Sequence, residues 1–189
     1  MLSCNNIRKQ FGENVVLENF SHDFKEGTVT AVLGRSGCGK STLLNILMGL
    51  QKPDSGSVLF PENSRISAVF QEDRLCENLT ASANIRLVTG RRLSKEQLSA
   101  ELSAVGLADC ENKPVRTLSG GMKRRTALLR ALLAEYDILF LDEPFKGLDP
   151  DTKQTVMEYC KEKTAGKTVV FVTHDEQECG LLSDEVIHL

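Results

Sequence analysis

The sequence of 189 residues contains no tryptophan, and only 5% of its residues are aromatic. Any core must therefore be built mainly from aliphatic side chains. Six cysteines are present, but none forms a CxxC pair and no spacing fits a metal site. This scatter indicates reduced thiols in a cytosolic compartment rather than a disulfide framework.

Long hydrophobic runs are also missing from the chain. No segment approaches the roughly 18 to 20 apolar residues that a membrane-spanning helix needs, and residues 1–8 lack the apolar stretch of a signal peptide. Any work at a membrane is therefore expected to depend on a partner. The net charge of −3 argues weakly against a nucleic-acid binder, which usually carries a basic face.

Apolar patterning predicts a mixed α/β fold. We expect strands over residues 2–8, 15–24, 28–33, 57–60, 66–70, 136–141, 168–172 and 185–189. The early strands alternate and indicate an antiparallel part. The later strands are continuously apolar and alternate with helices, which indicates a mostly parallel sheet covered on both faces.

Helix signals complete this expected organisation. Helices are predicted over 40–50, 119–134 and 175–182 and within 80–115, where Ser94 and Gln97 fit a capping box. Another helix is expected to begin at Asp149-Pro150. We expect a single domain over 1–189, with its α/β core in 1–70 and 136–189 and a helical subdomain over about 75–118. The basic run 123–125 is expected to be a solvated turn of the helix over 119–134, the alternative being an electrostatic role on the phosphate side.

A glycine-rich segment carries the strongest chemical signal. Residues 34–42 read GRSGCGKST and satisfy the pattern G-x-x-x-x-G-K-[ST]. Glycines let successive backbone N–H groups converge on phosphate oxygens, and the following helix adds its positive N-terminal end. The alternative is a glycine-rich turn beside a surface lysine. The expected nucleotide-binding residues here are Gly34, Arg35, Ser36, Gly37, Cys38, Gly39, Lys40, Ser41 and Thr42.

Roles within this phosphate loop (residues 34–42) follow from its chemistry. Lys40 places a cation on the β- and γ-phosphates, and the Ser41 hydroxyl can hold Mg²⁺. A P-loop nucleoside-triphosphatase core is therefore predicted.

Two adjacent carboxylates follow the apolar strand that precedes residue 142. Burying the charged carboxylates of Asp142 and Glu143 at such a position is unfavourable unless a bound ligand or metal ion contacts them. We expect Asp142 to lie beside Mg²⁺ and Glu143 to polarise a water for attack on the γ-phosphate. The alternative is a pair of helix-capping acids.

At this point the chain resembles the ATP-binding-cassette (ABC) ATPases, and its discriminating segment is Leu118-Ser119-Gly120-Gly121-Met122. This stretch is similar to the family's LSGGQ signature, with Met122 in the glutamine place. The resemblance covers the chain from end to end in order. It implies that Ser119, Gly120 and Gly121 contact nucleotide held by a second subunit.

Other positions take their expected roles from the same resemblance. Phe11 stacks on adenine, with Val16 also at the nucleotide, and Gln71 contacts Mg²⁺ and the attacking water. His174 contacts the γ-phosphate and the catalytic carboxylate, so the catalytic set is Glu143, His174, Lys40 and Gln71. Ser41, Gln71 and Asp142 are the expected metal contacts.

The resemblance implies an ATPase that uses ATP and Mg²⁺ and works as a dimer, most simply a homodimer. Its partners would be membrane permease subunits and a substrate-binding protein, with no nucleic acid, and the chain would be cytoplasmic and peripheral on the inner face of the cell membrane. Residues 69–75 and the LSGGM segment resemble importers of the nitrate, sulfonate and taurine group. An exporter ATPase, or a cassette protein acting on ribosomes or DNA, stays open as an alternative.

Two departures from the family pattern concern the dimer rather than the catalytic groups. Met122 cannot form the hydrogen bonds of a glutamine amide, and Lys146 stands where many members carry a small residue. Because the last expected strand ends at Leu189, we also expect no regulatory C-terminal extension of the kind that some importers carry.

Overall fold

Two β-sheets organise residues 1–189, all of which are described by a computed structural model. The first sheet is antiparallel and has the order β2-β1-β4, with β1 at Leu2–Phe11, β2 at Asn14–Phe24 and β4 at Ser55–Leu59. The second is parallel and has the order β5-β6-β7-β3-β8. Its strands are Ile66–Val69 (β5), Ile138–Asp142 (β6), Thr168–Thr173 (β7), Val29–Leu33 (β3) and Glu185–His188 (β8).

Six α-helices accompany the sheets. They are Lys40–Leu47 (α1), Ala81–Thr89 (α2), Lys95–Ala104 (α3), Gly120–Leu132 (α4), Pro150–Thr164 (α5) and Glu176–Leu182 (α6). The predicted α/β class with an antiparallel part is confirmed. None of the helices combines the length and apolar character that a membrane span requires.

Strand β6 shows why the parallel sheet needs cover on both faces. Ile138 and Phe140 belong to a buried cluster with α1 and the antiparallel sheet, whereas Leu139 and Leu141 belong to a larger cluster on the other face. Successive side chains of a strand point to opposite faces, so a run without polar residues must be buried on both sides.

The helical region between the two halves of the core shares this larger cluster. Ile85 of α2, Leu98 and Leu102 of α3 and Val115 are fully buried in the same cluster as Leu139. Continuous apolar packing therefore joins these helices to the parallel sheet.

Local helix signals were predicted correctly at two N-termini. The Ser94 hydroxyl accepts a hydrogen bond from the Gln97 N–H (3.1 Å), and the Ser94 N–H donates to the Gln97 side chain (2.7 Å). Asp149 caps α5 by accepting from the Thr152 N–H at 3.0 Å, with Pro150 in the first turn. Both devices satisfy N–H groups that have no partner within the helix.

Two expectations about helices are wrong. Helix α1 ends at Leu47 rather than residue 50, because Gly49 adopts a positive φ of 71° that ends the helical path. The basic run 123–125 is not a solvated turn, since Arg124 is only 4% exposed. Residue 124 lies on the same helical face as the buried Leu128 and Ala131, three to four residues apart, and this face packs inward.

We predict that Leu139→Ala lowers the free energy of unfolding by about 2 to 5 kcal/mol, because it leaves a cavity in the central core. Leu59→Ala is the matched control, since Leu59 is 67% exposed and its truncation should change stability by less than about 0.5 kcal/mol. Urea unfolding midpoints measure both effects. Equal losses for the two variants would contradict the placement of β6.

Candidate functional site

Four neighbouring strands deliver polar residues to one edge of the parallel sheet. The segments after β5, β6, β7 and β3 contain Gln71, Glu143, His174 and Gly34, and these strands are adjacent in the sheet. Because parallel strands end at the same edge, residues far apart in the chain meet there.

The cleft at this edge has a volume of about 270 Å³. The ten residues that line it come from the phosphate loop, the antiparallel sheet and the ends of the parallel strands. They are Val16, Ser36, Gly37, Gly39, Lys40, Ser41, Thr42, Gln71, Glu143 and Lys146.

Glycines allow the phosphate loop to fit between its neighbours. At Gly34 an added Cβ would lie 2.7 Å from the Leu189 carbonyl oxygen and 2.7 Å from the Cys38 sulfur. Gly39 has φ 107° and an added Cβ would lie 2.6 Å from the Val16 carbonyl oxygen. Larger residues are excluded by backbone contact at these two positions, and the loop leads directly into α1.

Lys40 lies under the loop and is 5% exposed. Its ammonium donates to the carbonyl oxygens of Gly34 at 2.7 Å and Arg35 at 3.0 Å. An ammonium has three N–H donors, so one is left for a ligand in the cleft. Together with the positive end of α1, this cation makes the loop a site for an anion such as a phosphate.

Asp142 lies at the end of β6 and is 7% exposed. The Ser41 hydroxyl donates to its Oδ1 at 3.0 Å. Burial raises the pKa of the Asp142 carboxyl. A hydroxyl and a carboxylate side by side are hard oxygen donors, and no cluster of three His, Cys, Asp or Glu side chains accompanies them. This sparse oxygen set fits Mg²⁺, which is commonly held by one or two protein oxygens together with phosphates and water.

Glu143 follows directly and has a left-handed backbone, with φ 45°. Its Oε1 lies 3.4 Å from the His174 Nδ1, and its Oε2 lies 2.8 Å from the Lys146 ammonium. The second contact is an ion pair without hydrogen-bond alignment. Burial favours the neutral carboxyl, but Lys146 and, to a smaller extent, His174 outweigh it and lower the pKa of Glu143.

The turn that carries His174 is fixed by a charged cluster that sequence reasoning missed. Glu178 is 5% exposed and accepts from the Thr173 hydroxyl at 2.5 Å. The Lys153 ammonium lies 2.6 Å from both Asp175 and Glu178. The spacing of Asp175 and Glu178 on one helical turn was a signal for such a cluster, but nothing local indicated Lys153.

Phe11 and Arg35 lie outside the cleft lining. Phe11 is 51% exposed at the end of the β1–β2 hairpin, with the Lys9 ammonium 5.6 Å from its ring centroid. Arg35 borders an adjoining hollow that also contains His174. Cys38 is half-buried, with its sulfur facing Gly34.

The signature residues are separate from this cleft. Ser119 caps α4 by accepting from the Met122 N–H at 3.3 Å, and Ser119 and Gly120 are exposed. An added Cβ on Gly121 would lie 3.5 Å from the Leu148 side chain. Within one chain these residues form a second polar surface rather than part of the first site.

Comparison with known proteins gives a family match over most of the chain, including the phosphate loop, the signature residues and the Asp142–Glu143 pair. Residues 17–146 match the family described as ABC transporter. The chain is 40% identical to the aliphatic sulfonates import ATP-binding protein SsuB 1 of Agrobacterium fabrum, covering 98% of this chain and 69% of that protein. It is 38% identical to SsuB 3 of Rhodococcus jostii, covering 100% and 70%.

Relatives with other import substrates also match. The chain is 34% identical to the spermidine/putrescine import ATP-binding protein PotA of Mycoplasma capricolum over 99% of this chain. It spans only 58% of the length of that protein.

Among solved structures, the dimeric MJ0796, a bacterial ABC transporter cassette, aligns with a TM-score of 0.83 and 31% identity. The alignment covers 100% of this chain and 94% of that one. A dimeric post-hydrolysis state of the same cassette, bound to ADP and Pi, aligns with a TM-score of 0.81 and 32% identity.

We predict that Gly39→Ala destabilises the chain more than Gly37→Ala. Both glycines have positive φ, which costs a non-glycine residue about 1 to 2 kcal/mol. Only Gly39 also faces a backbone atom within 3 Å, whereas an added Cβ on Gly37 meets open space. Thermal unfolding of the two variants measures the difference, and equal midpoints would contradict the close approach of Gly39 to Val16.

Proposed function

The chain belongs to the ABC transporter family, and we propose that it binds and hydrolyses ATP with Mg²⁺ to power a membrane import system. One observation carries the proposal. Lys40, Ser41 and Glu143 line one cleft at the sheet edge, and Asp142 and His174 contact Ser41 and Glu143 from outside its lining.

Binding would use the phosphate loop and α1. Backbone N–H groups of residues 34–42 surround the phosphates, and Lys40 places its free N–H on the β- and γ-phosphate oxygens. Ser41 and Asp142 would hold Mg²⁺ with Gln71 beside them, which would supply positive charge next to those phosphates. Val16 lines the cleft and would contact the nucleotide, and the exposed Phe11 would stack on adenine.

Hydrolysis would depend on Glu143. Its carboxylate accepts a proton from the attacking water as the water's oxygen bonds to the γ-phosphorus and the bond to the β–γ bridging oxygen breaks. His174 orients this carboxylate through Nδ1 and leaves Nε2 for the γ-phosphate. These two residues therefore serve position and charge, which dominate phosphoryl transfer.

A second copy of this chain would complete the site. Ser119 and Gly120 are exposed, Gly121 is half-buried, and none of the three lines the cleft of its own chain, so they would contact nucleotide that another chain holds. The related MJ0796 cassette is dimeric, which supports a homodimer with nucleotide between its subunits.

The transport system would be an importer of the nitrate, sulfonate and taurine type. Identity to the two sulfonate relatives is 38% and 40%, against 34% for the polyamine relative, and residues 69–75 and the LSGGM segment support the same choice.

Exposed Leu87 and Val88 on α2 offer an apolar surface for a permease helix. The chain would then be peripheral on the inner membrane face, in a complex that includes a substrate-binding protein. Co-purification with a permease tests this assignment.

We predict that Glu143→Gln lowers ATP turnover by about 10² or more, the scale of a lost general base, while nucleotide affinity stays within a few-fold. Phosphate release and calorimetric ATP binding measure the two effects. Lys40→Ala should instead weaken ATP binding, because it removes the cation on the phosphates. Near-normal turnover in the Glu143 variant would exclude Glu143 as the base.

We also predict that turnover per chain rises with protein concentration, because hydrolysis needs two chains. Ser119→Arg should abolish this rise by placing a bulky cation at the shared surface, while ADP binding to the single chain is kept. Ser103→Arg is the control, since Ser103 is exposed on α3 and belongs neither to the cleft lining nor to the signature segment. Turnover that is independent of concentration in the unmodified chain would argue against the shared site.

A further inference from the structure

Arg124 of α4 is a buried arginine that contacts the turn carrying Glu143. Its Nη2 donates to the carbonyl oxygens of Asp142 and Glu143, and its Nε donates to that of Pro144 at 3.1 Å. Three successive carbonyls of the acidic turn (residues 142–144) therefore point at one guanidinium. The side chain lies behind the turn and outside the cleft lining.

The same guanidinium also reaches the segment after β5. Its Nη1 donates to the Phe70 carbonyl oxygen and to Asp73 Oδ1, the latter at 3.2 Å. Gln71 lies between these two acceptors. Arg130, six residues further along α4, donates to the Asp73 and Arg74 carbonyl oxygens at 3.2 and 2.9 Å. Helix α4 thus holds the Gln71 loop (residues 70–76) at two points.

Five N–H groups of Arg124 meet five acceptors on two segments. Only arginine carries five donors in a rigid plane, whereas lysine has three on a flexible stem. A buried cation is costly unless it is paired and hydrogen-bonded, so its retention at 4% exposure requires this complete set of acceptors. These acceptors include the carbonyl oxygen of Glu143, the candidate general base. They also include Phe70 and Asp73, which lie on either side of Gln71 in the sequence.

The backbone of Glu143, which Arg124 contacts, has an unusual conformation. Its φ of 45° is unfavourable for a residue with a Cβ and persists only where neighbouring structure holds it. The Glu143 N–H is held from one side by the Val172 carbonyl at 3.1 Å. Arg124 holds the carbonyls of the same turn from the other side.

We propose that Arg124 is a positioning residue for ATP hydrolysis, which holds Glu143 and the Gln71 loop in place relative to each other through their backbones. The inference rests on the proposed ATPase function and names a further residue for it. Arg124 has no contact with the phosphate loop, so its loss should slow the reaction without weakening nucleotide binding.

The neighbouring Arg125 provides a matched control. It lies on the same helix and also donates to three backbone carbonyls, those of Val105, Gly106 and Gly121. These contacts lie within the helical region and α4 itself, away from the acidic turn. A loss of general packing should affect both arginines alike.

The test compares Arg124→Lys and Arg124→Gln with Arg125→Lys, each in the full chain. ATP turnover gives kcat and KM, calorimetry gives ADP affinity, and thermal unfolding gives the midpoint. For both Arg124 variants we expect kcat to fall about 10- to 100-fold, the scale of a catalytic group displaced by about 1 Å. KM and ADP affinity should stay within about threefold, and Arg125→Lys should keep kcat within about threefold.

Three results would overturn the proposal. The first is a kcat of Arg124→Lys and Arg124→Gln close to that of the unmodified chain. The second is an equal fall in Arg125→Lys, and the third is failure of both Arg124 variants to fold. The first result would show that Arg124 does not affect hydrolysis, and the other two would assign it to general packing. An unmodified chain that binds ADP but does not hydrolyse ATP would instead contradict the proposed ATPase function.

Discussion

The parallel hydrogen-bond register around β7 is the constraint on which the site depends. The ladder continues past the strand ends, where the Gly34 N–H donates to the Thr173 carbonyl at 3.3 Å and the Glu143 N–H donates to the Val172 carbonyl at 3.1 Å. The phosphate loop and the acidic turn are thereby tied to the end of the same strand. A shift by one residue would move both segments and reverse the faces of every side chain in the strand.

Positive side chains on both sides of the acidic turn stabilise the two adjacent, partly buried carboxyl groups of Asp142 and Glu143. Lys40 and Lys146 lie on the cleft side, while Arg124 lies behind the turn and engages its carbonyls. Asp142, which is more buried, has a raised pKa, and Glu143 beside Lys146 has a lowered one. Different surroundings thus separate the two carboxyl groups: burial favours the neutral form of Asp142, whereas Lys146 and His174 favour the ionised form of Glu143.

The distance between the cleft and the signature residues has a simple architectural cause. The cleft is formed at the carboxyl edge of the parallel sheet. Ser119 and Gly120 instead begin α4, whose buried side chains pack against one face of that sheet. One chain therefore presents half of each proposed site on two different surfaces. Dimerisation would join these halves, and it would couple ATP binding to movement between subunits.

The sequence by itself determined the features that depend on local backbone chemistry. The phosphate loop, the acidic pair after an apolar strand, the capping box at Ser94 and the α/β alternation each lie within a short segment, so residue type and spacing were enough to predict them. The start of α1 was also predicted correctly, and only its C-terminal end, which Gly49 determines, was wrong. Tertiary structure decided that Arg124 is buried and that Lys153 supports the turn at His174. A charged side chain is solvated unless acceptors from other segments enclose it. Only the packing of α4 against the parallel sheet and of α5 against α6 brings those acceptors within reach.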